Sequence, residues 1–115
     1  MKNSDVNDLE SIELSIAHAK QLIEFGDALA RLEQNPDYVK IIQDDFFKNN
    51  IIRLVKLKAA PQCQDEMNQG FITKQIDAVG QFEQYLTGIR IQANQAMVAL
   101  EKDKEERELI LGQED

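Results

Sequence analysis

The chain has 115 residues, 43 % of them apolar, with one His, one Cys and no Trp, which fits a single globular domain with a modest core and excludes a disordered chain. A formal charge of −8 opposes a general nucleic-acid binder, which gains affinity by placing cations on phosphates. One Cys cannot form an internal disulfide, and apolar runs of a few residues cannot span a membrane. The opening Met1-Lys2-Asn3-Ser4-Asp5 lacks the apolar core of a secretion signal, so synthesis in a cytosol is expected.

Ser4 or Asp5 is a suitable cap for a first helix running to about residue 34. Its apolar residues form two stripes, each stepping by threes and fours. One is Leu9, Ile12, Ile16, Ala19 and Ile23; the other is Leu22, Phe25, Leu29 and Leu32. A helix that touches one neighbour needs one stripe, so two stripes point to two partners, within the chain or in another copy.

Asn35-Pro36-Asp37 is the clearest internal punctuation. Pro36 disfavours helix at Asn35, and Asn35 is a good N-cap with Pro36 at the first helical position. Either a new helix begins here or one long helix kinks. The segment carries Tyr38, Val39, Ile42, Phe46, Ile52 and Val55 and is expected to end at about residue 59, before Pro61.

A third helix is expected over residues 65–111, with Asp65 and Glu66 in its first turn, where negative charge is favoured. Its seam is Ile72, Ile76, Val79, Phe82, Leu86, Ile89, Ala93, Ala96 and Leu100. Steps of three and four define one helical face and not an alternating strand. Gly70, Gly80 and Gly88 lie inside it, each costing about 1 kcal/mol relative to Ala. Close approach of another backbone is the usual reason to accept that cost, and Gly80, beside Val79, is the expected crossing. Residues 101–108 are almost all charged and read as a solvated helix end that frays after Leu111-Gly112.

The expectation is therefore an all-α protein of one domain, with three helices at about residues 5–34, 36–59 and 65–111. They would form a long, coiled-coil-like hairpin with a kink or break near Pro36, its apolar faces covered by self-association. In that register Ile42 would lie near Phe82. A compact three-helix bundle is the alternative.

Two sets of blocks stand out: Leu29-Ala30-Arg31-Leu32, Asn35-Pro36-Asp37-Tyr38, Phe46-Phe47 and Ile52 to Ala59 followed by Pro61, then Ile76-Asp77-Ala78-Val79-Gly80 with Phe82, Tyr85 and Leu86. On these residues the segment from Leu29 to Ile89 resembles a group of small helical proteins encoded by tailed bacteriophages. The likeness covers about half of the chain and implies a phage origin and a non-enzymatic role. It leaves out the first 28 residues and the tail after Ala93.

The residues themselves offer little chemistry. His18 has Leu14, Ser15, Gln21 and Leu22 as helical neighbours, with no carboxylate or thiolate to complete a metal site or catalytic pair. Cys63 sits between Gln62 and Gln64, with no local base, and reads as an incidental loop residue. Asp44 and Asp45 are explained by Lys48 a helical turn later, and no phosphate-binding glycine loop is present. No catalytic residue, metal ligand or cofactor is expected.

Charge is uneven along the chain. Residues 1–13 carry −3, residues 40–58 carry +3 and residues 101–115 carry −4. A solubilised surface accounts for this, and so does contact between copies in which acidic ends meet basic middles. Within the basic middle, Arg53 and Lys56 share a face, with Lys58 close by and Tyr38 and Phe47 upstream. These five residues are the candidate protein-binding site, either as side chains snorkelling beside the core or as contacts to an anionic partner.

Two functions fit: a self-associating virion or assembly component, and a small acidic phage inhibitor that binds and blocks a host or defence protein. Both make the partners this chain itself and another phage or host protein, and neither needs a membrane or nucleic acid. Both place the protein in the host cytoplasm, or in the virion for the first.

Overall fold

A computed structural model describes residues 3–112. Every regular element among the described residues is helical, and there is no strand. Helix α1 is Asn3–Glu33. Helix α2 covers residues 36–59 and changes character along its length: α-helical at Pro36–Tyr38, π-helical at Val39–Asn49 and α-helical again at Asn50–Ala59. A 3-10 turn, Pro61–Cys63, leads to helix α3, Glu66–Gly112. At 47 residues and 1.5 Å per residue, α3 is about 70 Å long.

The boundaries follow local chemistry. Asn35 is extended (φ −72°, ψ 122°), and its Oδ1 accepts from the Asp37 amide at 2.9 Å and the Tyr38 amide at 3.4 Å. With Pro36 at the first helical position, the chain starts a new helix here instead of kinking an old one. Ala60 is extended ahead of Pro61 and closes α2. Helix α1 already includes Ser4 and Asp5, so the start expected at those residues lies earlier.

The chain divides into two compact units. The first unites α1 up to Leu29 with α3 from Gly88 onward; the second is Ala30–Thr87. In the first unit the helices run antiparallel: the Ser15 hydroxyl donates to Asp103 at 2.6 Å, and Arg107 pairs with Glu13 at 3.3 Å. Its core is Ile12, Ile16, Ala19 and Leu29 from α1 with Ala93 and Ala96 from α3. The first stripe of α1 thus supplies most of the packing. From the second stripe Leu29 is buried, while Phe25 stays exposed.

In the second unit α2 and residues 66–87 form a helical hairpin around the Pro61 turn. Leu54, 1 % exposed, is its most buried residue and joins Ile72, Val79 and Leu86. Three rings set the register. Phe47 stacks on Phe82 at 5.5 Å, and Phe46 meets Phe82 edge-on at 5.8 Å and Phe47 at 5.5 Å. The residues opposite Phe82 are therefore Phe46 and Phe47, about a turn beyond the expected Ile42. Three aromatic rings bury more area together than Ile42 could offer there.

The glycine expectation is corrected. A Cβ on Gly70, Gly80 or Gly88 would meet nothing within 4 Å, so no backbone crosses closely at Gly80. The close approach is at Gly26, where an added Cβ would lie 2.4 Å from the Ala93 Cβ. Ala93 has no flexible side chain with which to yield, so the helices themselves must separate. Gly26→Ala should lower stability by about 1–3 kcal/mol through overpacking. Gly80→Ala should raise it by about 1 kcal/mol, because it removes only the glycine penalty. Thermal melts of the two variants should move in opposite directions.

Candidate protein-binding surface

The five residues singled out in sequence do not form one cluster. Arg53 and Lys56 do come together, lining a shallow groove on the outer side of α2 with Asn49 and Ile52. The spacing explains this: residues three, four and seven apart share a helical face. Arg53 is steadied by a hydrogen bond from its guanidinium to the Asn50 side-chain oxygen. Lys58, two residues beyond Lys56, does not line the groove. Its backbone carbonyl is engaged in the turn, accepting from Gln64 Nε2 at 2.9 Å and Gln69 Nε2 at 2.8 Å. Tyr38 is half-buried in the first turn of α2, and Phe47 is committed to the ring cluster with Phe82.

The π-helical segment is why Phe46 and Phe47 act together. Hydrogen bonds of the i→i+5 kind widen each turn beyond 3.6 residues, so adjacent side chains diverge by less than the usual 100°. Two neighbouring rings can then close on the same partner ring. The half-buried pairs Tyr38-Val39, Ile42-Gln43 and Phe46-Phe47 recur every four residues, a spacing that suits this wider turn. An 11-residue π-helical run is long, since most are single-turn bulges.

Sequence reasoning missed the polar clamp at the turn. Gln64 Nε2 also donates to the Ala60 carbonyl at 2.8 Å, and Gln69 Nε2 to the Cys63 carbonyl at 2.8 Å. The two amides converge on the Lys58 carbonyl, one of those the end of α2 leaves without a helical partner, and tie it to the turn. Their only advance signal was two Gln residues flanking a Pro-ended helix. Asp65 caps α3: its carboxylate accepts from the Asn68 amide at 3.0 Å and from Asn68 Nδ2 at 2.6 Å. The Asn68 side chain first, and then its backbone amide, hold the Asp65 pKa below the usual carboxylate value.

Cys63 is a half-buried free thiol in the 3-10 turn. His18 is exposed and lines a groove of the first unit with Ser15, Gln92 and Gln95 over Ala19 and Ala96. Among the described residues no group of three or more His, Cys, Asp or Glu is placed to hold a metal ion. No helix among them is long and apolar enough to cross a membrane. No protein-family model, curated protein or solved structure matches the chain.

Asp65→Ala should lower the melting temperature, because α3 loses its N-cap. The sign with pH follows from the lowered pKa. The cap stabilises fully above the ordinary carboxylate value and is lost as pH falls through the lowered one. The difference in melting temperature between wild type and Asp65→Ala should therefore be largest near neutrality and shrink on acidification.

Proposed function

We propose that this chain is a non-enzymatic bacteriophage protein that acts as a self-associating virion or assembly component. The observation that carries the self-association is the balance of apolar surface. Among the described residues ten hydrophobic side chains are buried, while sixteen large ones are exposed, including Phe25, Phe71, Val98 and Leu109. Several stand as helical neighbours, Ile52 with Val55 and Met67 with Phe71, and exposed apolar clusters of this kind mark contact surfaces on soluble proteins. A unit of two helices has one seam, which leaves its remaining faces for a partner to cover. The likeness of residues 29–89 to small phage proteins supports the phage origin, and the poverty of nucleophile–base and metal-ligand constellations in the sequence supports a binding role.

Sedimentation of the purified protein should give a mass at least twice 13.2 kDa at high micromolar concentration. A 13.2 kDa species throughout would end the self-association reading. Mass spectrometry of purified particles or unfinished heads should find the chain. Early synthesis in infection and absence from every particle would favour an inhibitor of a host or defence protein instead, a reading that the strong acidity of the first unit also fits.

A further inference from the structure

The net charge of −8 is borne almost wholly by one unit. The segments Met1–Leu29 and Gly88–Asp115 contain thirteen acidic and six basic residues, net −7. Ala30–Thr87 contains eight acidic and seven basic residues, net −1, and five of those bases lie on α2. Each unit also presents a strip in which exposed apolar residues stand among its local charges. On α2, Ile52 (48 % exposed) and Val55 (55 %) lie beside Arg53 and Lys56. On α3, Val98 (71 %) and Leu109 (68 %), eleven residues apart, flank Glu101, Glu105 and Glu108, with Lys102 also on this exposed face. Steps of three and four place these residues together, and acids outnumber the base three to one.

We propose that these strips are the two halves of one contact: the α2 strip of one copy docks on the α3 strip of a second copy. The inference rests on the self-association reading and specifies its surfaces. Complementary charge selects the pairing. Two α3 strips would set carboxylates against carboxylates, and two α2 strips would set Arg53 and Lys56 against their like. Only the mixed pairing covers both apolar strips while placing cations opposite acids. Because each copy carries both strips, the contact repeats from copy to copy.

The test uses two full-length double variants. Arg53→Glu with Lys56→Glu makes both strips acidic; Glu101→Lys with Glu105→Lys makes the α2 strip face a basic α3 strip. All four residues are exposed, and unchanged helical circular dichroism checks that the variants fold. Each variant alone should dissociate toward 13.2 kDa, with its association weakened about tenfold or more. An equimolar mixture should associate again, because acidic strips now meet basic ones across the two variants. For the wild type, added salt should weaken association.

Two results overturn the contact while leaving self-association standing: variants that each associate as wild type does, and dissociated variants whose mixture does not recover. A wild type that stays at 13.2 kDa overturns both.

Discussion

The seam of α3 is the constraint on which the rest of the structure depends. Its apolar residues recur by threes and fours from Ile72 to Leu100, and every one of them is buried or half-buried. The same helix supplies Ile72, Val79 and Leu86 to the core of one unit and Ala93 and Ala96 to the other. Side-chain size along it sets the packing. Where the seam is Ile, Val and Leu, α2 meets it with Leu54 and two phenylalanines. Where it narrows to Ala93, α1 answers with Gly26, and the backbones approach closely enough to exclude a methyl group. A helix pair built on one seam buries one stripe of each helix, and the other apolar positions remain at the surface.

Helix α2 shows a backbone yielding to its side chains. A regular α-helix turns 100° per residue, so a strict four-residue repeat drifts by about 40° at each step. Pairs at 38–39, 42–43 and 46–47 would soon rotate away from the partner helix. Widening the turn through Val39–Asn49 keeps them facing inward and brings two rings onto Phe82. Normal α-helix resumes at Asn50, and Leu54 then becomes the most buried side chain.

The two units divide the work electrostatically. The acidic unit, held by its apolar core, adds the exposed contacts Arg107–Glu13 and Ser15–Asp103 across its helices and still carries a large surplus of carboxylates. The other unit is nearly neutral, with its polar side chains invested in the helix junctions: Asn35 and Asp65 at helix starts, Gln64 and Gln69 at the end of α2. Such a partition disfavours contact between two acidic units and leaves α2, with five bases against three acids, as a net cationic helix.

Three helices, an interruption at Asn35-Pro36 and the buried face of α3 were all legible in the sequence, because each is set locally. Helical periodicity needs only the residues along one element, and a Pro or an N-cap acts on its immediate neighbours. Which of two α1 stripes supplies most of the packing, which glycine meets another helix, and which residues sit opposite Phe82 were not legible. Those depend on the distance and register between helices, and Gly26 looks no different from Gly80 until Ala93 is placed against it. The grouping of Arg53 and Lys56 followed from spacing alone. The withdrawal of Phe47 into a ring cluster followed from a hydrogen-bonding pattern that only the packed pair imposes. The sequence by itself determined the elements and their apolar faces, since these are properties of single helices. The tertiary structure decided the pairing, because the energy of packing belongs to two surfaces at once.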